Sequence, residues 1–368
     1  MKLELTLKKL KESVQVVDRV AGKHMTLPVL SCVLLEVKDN TATIKATNLD
    51  VGLEIVLPVK STGNGQLAVP ASILSSFISQ ISGDDQIVRL EDSEQNLLIS
   101  TQKTKGTIKT QSFDDFPSIP RVLDGKKLSL PAESFLKGLK SVWYSSSISS
   151  VKPELSSVYI YKDSQNLVFV ATDSFRLAEK KIKLNGNIDF GDILIPFKNI
   201  PDILRVLENI HGNVEICLNK NLISFSSGEI YLVSRLIDGV FPDYRQIIPK
   251  SFATEVVVLK QDLVSSLKVS NIFSDKFNKI SFSIDPKAKQ FKIQTKNSDI
   301  GENNTLVDGA LTGDPVEINF NYKYVADSFQ SIDSDSLTMQ FSGTNRPMVI
   351  RPISGDQSFM YLAMPMNR

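Results

Sequence analysis

The stretch IKATNLDVGLE at residues 44–54 returns as FVATDSFRLAE at residues 169–179, and this repetition decides the fold. A second pair, SFDDFPSIP at 112–120 and DGVFPDYRQ at 238–246, repeats its Phe-Pro at the same offset of 125 residues. LAVPASIL at 67–74 corresponds in the same way to LIPFKNIPDIL at 194–204. Self-similarity at a nearly fixed period indicates repeated structural units, and this period has the size of a domain.

A third and weaker copy occupies the last part of the chain. VVVLKQDLVSSLKV at 256–269 is similar to LSLPAESFLKGLKS at 128–141, and VEINFNYKYVADSF at 316–329 is similar to the two later strand-to-helix segments. The 368 residues are enough for three separate cores. We therefore predict three domains, at residues 1–125, 126–251 and 252–368.

Each repeat contains two places where a strand runs into a helix. Apolar residues first alternate, as at Leu3 and Leu5, and then follow helical spacing, as at Leu10, Val14 and Val17. Such stripes predict six helices, in windows at 7–23, 71–82, 132–144, 197–210, 260–271 and 323–332. Short alternating strands bounded by Gly, Asn and Asp fill the intervals. The predicted fold class is α+β, with two helices per domain packed on curved antiparallel sheets.

Composition is that of a folded cytoplasmic protein. Hydrophobic residues make up 42% and charged residues 23%, and no apolar run reaches the ~20 residues that span a bilayer. The first residues lack the apolar core of a signal peptide, so no membrane association is expected. Cys32 and Cys217 lie far apart in apolar runs and are interpreted as buried thiols.

Charge is segregated although the net charge is only +1. The six helical windows hold twelve basic and seven acidic side chains, a net of +5, which leaves −4 for the rest of the chain. A positive helical surface suits contact with a DNA backbone without reading of the bases. Solvated faces of ordinary helices would give the same count, so charge alone leaves both interpretations open.

Residue patterns that carry catalysis are scarce. The chain has two histidines, His24 and His211, no CxxC pair, and none of the motifs GxxxxGK[ST], GxGxxG and GxSxG. The pairs Asp84-Asp85 and Asp114-Asp115 lie in turn-rich segments, where carboxylates are normally solvated. We therefore expect no enzyme activity, cofactor or metal site. A metal-dependent hydrolase built on scattered carboxylates and a monomeric peptide-binding adaptor are the alternatives.

Five segments together resemble the β subunit of bacterial DNA polymerase III, the sliding clamp family. They are MTLPVLSCVLLEV at 25–37, ATNLDVGLE at 46–54, FVATDSFRLA at 169–178, LIDGVFPDYRQIIPK at 236–250 and YLAMPMNR at 361–368. The resemblance covers the whole chain, and its combination of motifs is specific. It implies the DNA-clamp fold and a ring-shaped head-to-tail homodimer, with helices lining the hole and sheets forming the outer wall.

The resemblance implies a processivity factor that encircles duplex DNA and has no catalysis of its own. Expected partners are double-stranded DNA of any sequence, the DNA polymerase III α subunit, the clamp loader complex, and other DNA polymerases and repair proteins with clamp-binding peptides. The expected location is the cytoplasm, at the nucleoid. Closure of the ring would convert weak contact with DNA into long residence.

The resemblance also implies a partner-peptide cleft between the second and third domains. Carried over motif by motif, its residues are Leu155, Thr172, Ser174, Phe175, Arg176, Leu177, Pro242, Gln246, Ile247, Met348, Leu362, Ala363, Met364, Pro365 and Met366. Flexible Met and branched apolar side chains suit a pocket that accepts several peptides. Arg176 and the C-terminal backbone are expected to hold the polar end of the peptide. The alternative is that these segments pack in the core of a domain.

The cleft departs from the family pattern in two ways. Gln246 stands where the family often has Arg, and Ser174-Phe175 replaces the usual Gly-His, so polar contacts at the rim are expected to differ.

Contacts with DNA and between subunits also follow from the resemblance. The residues expected to face DNA are Lys23, His24, Lys137, Lys140, Lys198 and Arg205. Ile272 and Phe273 are expected at the subunit interface, and burial in the core of their own domain is the equally open alternative.

Overall fold

The computed structural model describes residues 1–22, 27–83, 86–184 and 190–366. Six α-helices lie within these ranges, and they coincide with the six predicted windows to within a few residues at most ends. They are α1 (Leu7–Val20), α2 (Ala71–Gln80), α3 (Ala132–Val142), α4 (Ile200–Leu207), α5 (Lys260–Ile272) and α6 (Tyr322–Asp327). The helical prediction is confirmed.

Short antiparallel strands make up most of the remaining described chain. In the first half they are β1 (Lys2–Thr6), β2 (Cys32–Lys38), β3 (Thr41–Thr47), β4 (Val51–Pro58), β5 (Lys60–Thr62), β6 (Gly65–Pro70), β7 (Ile87–Ser93), β8 (Asn96–Ser100), β9 (Lys105–Lys109), β10 (Lys126–Pro131), β11 (Ser157–Asp163), β12 (Asn166–Thr172) and β13 (Arg176–Lys183). In the second half they are β14 (Ile193–Pro196), β15 (Asn213–Leu218), β16 (Leu222–Ser227), β17 (Ile230–Arg235), β18 (Thr254–Leu259), β19 (Lys279–Asp285), β20 (Gln290–Asn297), β21 (Gly301–Leu306), β22 (Gly309–Gly313), β23 (Val316–Asn321), β24 (Ser336–Phe341), β25 (Met348–Pro352) and β26 (Phe359–Ala363).

The first compact unit consists mainly of Met1–Glu133 and Lys198–Leu236. It holds a five-stranded sheet, ordered β5-β1-β7-β8-β9, and an eight-stranded sheet, ordered β10-β15-β16-β17-β4-β3-β2-β6. Helix α1 is amphipathic and buries Leu10, Val14 and Val17 against α2 and β3.

The second compact unit consists mainly of Ser134–Asn187 and Ile237–Arg368. It holds a nine-stranded sheet, ordered β14-β11-β12-β13-β26-β25-β24-β18-β22, and a four-stranded sheet, ordered β21-β20-β19-β23. Phe282 packs edge-on against Phe291, with ring centroids 5.4 Å apart, and lies 5.5 Å from the ring of Phe320 in the core.

The compact units cut across the sequence repeats, because each large sheet joins strands from two of them. β17 of the second repeat pairs with β4 of the first, and β26 of the third pairs with β13 of the second. The predicted domain boundaries near 125 and 251 describe the repeats and stay a prediction.

The two cysteines differ in burial. Cys32 on β2 is fully buried, as predicted, whereas Cys217 on β15 is only half-buried, because it lies at the margin of a small apolar cluster. Neither thiol forms a disulfide. No helix of the described ranges combines the length and apolarity needed to cross a membrane.

Candidate functional site

The turn between β12 and β13 is fixed by side-chain hydrogen bonds. Thr172 Oγ1 donates to the carbonyl of Arg176 at 2.6 Å and accepts from the N–H of Ser174 at 3.2 Å. Asp173 Oδ1 accepts from the N–H groups of Phe175 at 2.9 Å and Arg176 at 3.0 Å. Ser174 adopts a φ of 78°, in the left-handed region that such turns use. The turn leaves the ring of Phe175 60% exposed.

The C-terminal segment lies alongside this turn. β26 pairs with β13, so that Leu362 is opposite Leu177. Beyond the strand, the N–H of Met364 donates to the carbonyl of Phe175 at 2.8 Å. The N–H of Met366 donates to the carbonyl of Asn319 at 2.8 Å. The backbone of the tail is therefore anchored at two points.

An apolar cluster underlies the turn and the tail. Its buried members are Tyr161, Val168, Val170, Leu177, Leu194, Phe241, Tyr244, Val349, Met360 and Leu362. Met364 is half-buried and packs against the cluster, which makes it the part of the C-terminal segment that extends the cluster to the surface.

The predicted cleft residues all lie in the second compact unit, but they divide by exposure. Those with accessible side chains are Ser174, Phe175, Arg176, Pro242, Gln246, Ile247, Met364, Pro365 and Met366. Those that are buried are Leu155, Thr172, Leu177, Met348, Leu362 and Ala363. A buried side chain can form only the floor of a cleft, so direct contact with a docked peptide is left to the first group, except for Arg176, whose side chain is only 12% exposed.

Arg176 uses its N–H donors within the chain. Nε donates to Asp173 Oδ2 at 2.9 Å, Nη2 donates to the carbonyl of Tyr144 at 2.8 Å, and Nη1 donates to Asp327. The guanidinium also lies over the ring of Tyr324, 4.9 Å from its centroid. These contacts favour a positioning role for Arg176 over the expected contact with a peptide.

The sequence pattern did not reveal Tyr144, Tyr324 and Asp327 as neighbours of this turn. They come from segments with no shared motif, and only the fold brings them together. Asp173 was detectable, because an Asp that is followed two and three residues later by available N–H groups is a common turn signal.

A second wall is the 3₁₀ turn Tyr244–Ile247, which follows Pro242. The hydroxyls of Tyr161 and Tyr244 are 2.7 Å apart, and Tyr244 donates to Glu179. Burial raises the pKa of Tyr244, and the Glu179 carboxylate raises it further, so the phenol stays protonated and remains a donor. Arg245 Nη2 donates to the Tyr161 hydroxyl at 2.8 Å. This buried network fixes the backbone that carries Gln246 and Ile247.

Three of the four described residues predicted to face DNA lie beside carboxylates of their own unit. The pairs are Lys137–Asp356 at 2.7 Å, Lys198–Asp50 at 2.7 Å and Arg205–Asp202 at 3.6 Å. Lys140 is exposed on α3. Lys23 and His24 lie outside the described residues. Each internal pair reduces the positive potential available to phosphates.

The two residues predicted at a subunit interface have different surroundings. Ile272, the last residue of α5, is 64% exposed, so the alternative of core burial is wrong for it. Phe273 is half-buried, with its ring near the α-carbon of Gly301 at the start of β21. β21 is the edge of the four-stranded sheet, and Ile300, just before it, and Leu306, its last residue, are also exposed.

Acidic groups do not gather into a metal site in the described ranges, where no cluster of three or more His, Cys, Asp or Glu is arranged to hold an ion. Asp114-Asp115 lies exposed in a loop. Asp84-Asp85 lies outside the described residues.

Comparison with known families matches all three repeats. The N-terminal domain of the DNA polymerase III beta subunit matches residues 1–120, its central domain matches 129–243 and its C-terminal domain matches 245–367. Together these matches span nearly the whole chain.

Full-length relatives and solved structures agree with these family matches. The chain is 27% identical to the beta sliding clamp of Synechococcus elongatus, covering 100% of this chain and 99% of the relative. The DNA polymerase III beta subunit from Thermotoga maritima superposes with a TM-score of 0.94 at 25% identity, covering 100% of this chain and 99% of that one. The sliding clamp from Pseudomonas aeruginosa bound to griselimycin has a TM-score of 0.92 at 26% identity, covering 100% of both chains.

These matches identify the three-domain clamp fold, as predicted. The family provides processivity to DNA polymerase III and is its non-catalytic subunit, which excludes the hydrolase alternative. By family matches over nearly its whole length, the chain belongs to the DNA polymerase III beta subunit family, the sliding clamps.

Proposed function

We propose that this chain works as a head-to-tail homodimer that encircles duplex DNA and captures partner proteins through a cleft in its second compact unit. The observation that carries the proposal is the junction of the C-terminal segment with the apolar cluster, where half-buried Met364 packs against the cluster that contains Leu177 and Leu362. The proposed partners are the DNA polymerase III α subunit, the clamp loader, and other polymerases and repair proteins. The proposed location is the nucleoid.

The cleft suits a short peptide with apolar anchors. Met364, Ile247 and Pro242 offer accessible apolar surface beside the cluster, and each buried Leu-like or Phe-like anchor would stabilise a complex by roughly 1.5–3 kcal/mol. Because Met has several rotamers of similar energy, the surface can adapt to different peptides. The Pseudomonas aeruginosa clamp, which was solved with griselimycin bound, supports a ligand site in this family.

Two sheet edges suit the proposed dimer. β9 ends the five-stranded sheet and carries Lys105 and Lys109, whereas β21 ends the four-stranded sheet and carries Glu302. Edge strands have backbone groups available for pairing with another chain. Opposite charges on the two edges would favour β9 of one protomer against β21 of its partner, with Ile272 in the joint.

Retention on circular DNA tests the proposal. The dimer, loaded by an ATP-driven clamp loader, should stay on a closed circle and leave once that DNA is linearised, because encirclement is topological. Gel filtration after loading, with and without a single-cutting restriction enzyme, measures retention. Equal loss from circular and linear DNA would mean binding by contact alone, and a monomer at micromolar concentration would favour the adaptor alternative.

A further inference from the structure

The turn at 47–51 repeats the hydrogen bonds of the turn at 172–176. Thr47 Oγ1 donates to the carbonyl of Val51 at 2.8 Å and accepts from the N–H of Leu49 at 3.0 Å. Asn48 Oδ1 accepts from the N–H groups of Asp50 at 3.1 Å and Val51 at 2.8 Å. Leu49 has a φ of 75°, against 78° for its counterpart in the second turn. The two turns therefore share one local structure.

The strands around the two turns also correspond. β4 pairs with β17 just after the first turn, as β13 pairs with β26 just after the second. At the end of β17, the N–H of Arg235 donates to the carbonyl of Asp50 at 2.8 Å, and this bond corresponds to the one from Met364 to Phe175 at 2.8 Å. The first compact unit thus contains its own version of the geometry at the proposed cleft.

A cavity of about 460 Å³ opens at this place. We name it the first-repeat cavity, and its principal walls are Leu49, Pro117, Pro120, Leu222, Arg235 and Leu236. Leu49 is 41% exposed, so the mouth of the cavity offers apolar surface to solvent. The volume is sufficient for one or two amino-acid side chains with part of their backbone.

Different side chains fill the floor of the first-repeat cavity and the floor of the proposed cleft. Gly52 occupies the position that Leu177 has in the second repeat, and a Cβ added to Gly52 would lie 2.8 Å from Cγ2 of Ile119. Ile119 therefore packs over Gly52 and occupies part of the space that the Leu177 side chain fills in the second repeat.

The rim carries an exposed cation, Arg235. Arg235 is exposed, its Nε donates to the carbonyl of Leu49 at 2.9 Å, and among the described acidic residues none forms an ion pair with it. Asp50 is paired with Lys198 at 2.7 Å. A ligand with a carboxylate next to an apolar group would complement this rim.

We propose that the first-repeat cavity is a second docking site, which binds an extended acidic peptide segment of a partner protein through one branched apolar side chain and a carboxylate on Arg235. This proposal rests on the proposed function only for the comparison with the cleft. A clamp with both sites could hold two segments of one partner, or two partners, on each protomer.

Calorimetric titration of the full-length chain with acetyl-Glu-Leu-Asp-Leu-Phe-Glu-amide tests the proposal. We expect two peptides per protomer. Arg235→Glu should weaken one of the two by roughly tenfold or more, because it replaces attraction by repulsion, while Arg235→Lys keeps most of the binding. Leu49→Asn should weaken the same site by removing its apolar wall, and Asn tolerates the positive φ, so folding is preserved.

Met364→Ala separates this site from the cleft. It should weaken only the binding event that Arg235→Glu leaves intact. One peptide per protomer, lost in Met364→Ala and unchanged in Arg235→Glu, would overturn the second site and leave the cleft standing. One peptide lost only in Arg235→Glu would support the second site and refute the cleft. Displacement of the Arg235-dependent peptide by a 20-base-pair duplex, at equal charge concentration, would assign Arg235 to phosphate binding and overturn the proposal.

Discussion

Single residues near the C-terminal segment have different roles according to their exposure. Met364 is half-buried at the surface of the apolar cluster, whereas Leu177 lies within it with no exposed surface. Met364→Ala should lower affinity for a peptide with a glutamine followed by Leu and Phe anchors by about 1–3 kcal/mol, with little change in unfolding. Fluorescence anisotropy and urea titration measure the two quantities.

Leu177→Ala is the matched variant inside the core. It should lower the free energy of unfolding by roughly 2–5 kcal/mol, because it leaves a cavity in a packed sheet. A Leu177→Ala protein with wild-type stability and weak peptide binding would mean that Leu177 contacts the peptide directly. Loss of stability in Met364→Ala would mean that the tail is part of the core.

Asp356 makes folding sensitive to acid. The carboxylate accepts from Lys180 at 2.5 Å and lies 2.7 Å from Lys137 Nζ. Partial burial opposes its charge, but Lys137, Lys180 and Ser358 hold the pKa of Asp356 well below its usual value. Because the folded pKa is the lower one, the stabilisation is complete above the unfolded value of about 3.9 and is lost as the pH falls below it.

Asp356→Asn should therefore destabilise the protein at pH 7 by roughly 1–3 kcal/mol, since it leaves the buried Lys180 without its counter-charge. Between pH 5 and pH 3, the free energy of unfolding of the Asp356→Asn variant should fall less than that of the wild type. Urea unfolding across this range measures both effects. In a Lys180→Met background the cost of Asp356→Asn should shrink, and an unchanged cost would assign the effect to Lys137.

Secondary-structure elements are the scale at which the sequence was most informative. The apolar stripe of Leu10, Val14 and Val17 identified α1, because one buried helix face imposes its period on the sequence. The pairing of β17 with β4 and of β26 with β13 was not detectable, since a strand carries no local record of its partner. The sequence also did not indicate which side chains of the site are exposed. Phe175 and Leu177 are two residues apart, yet Phe175 is exposed and Leu177 is buried.

Edge strands lead to a prediction about assembly. Lys105→Glu combined with Lys109→Glu on β9 should weaken the dimer by about tenfold or more, and Glu302→Lys on β21 should do the same, because each places like charges across the proposed joint. Mixing the two variant proteins should restore a dimer, because both joints of the mixed dimer then place opposite charges across β9 and β21. Analytical ultracentrifugation measures the dissociation constants. Unchanged dimers in both variants would require a different interface.

At the scale of the whole molecule, the proposed ring is expected to make weak, salt-sensitive contact with DNA before it closes. The carboxylate of Asp50, 2.7 Å from Lys198 Nζ, partly neutralises the positive charge of Lys198. Asp50→Asn should strengthen binding to a short duplex and steepen its salt dependence, whereas Lys198→Ala should reduce the slope of log K against log salt by up to about 0.9. Lys287→Ala, in the turn between β19 and β20, is the control. Equal effects of Lys198→Ala and Lys287→Ala would mean that Lys198 does not face DNA.

The pairing of β4 with β17 has a consequence for any fragment of this protein. Residues 1–125 expressed alone would keep the pairing of β4 with β3 but leave the opposite edge of β4 bare, with the N–H and C=O groups that face β17 unsatisfied and with Leu53 and Ile55 beside them. Edges of this kind recruit further copies of themselves, so such a piece should precipitate or form fibrils where the intact chain remains dispersed. Continuity of the sheet across the repeats thus protects the protein from aggregation through β4.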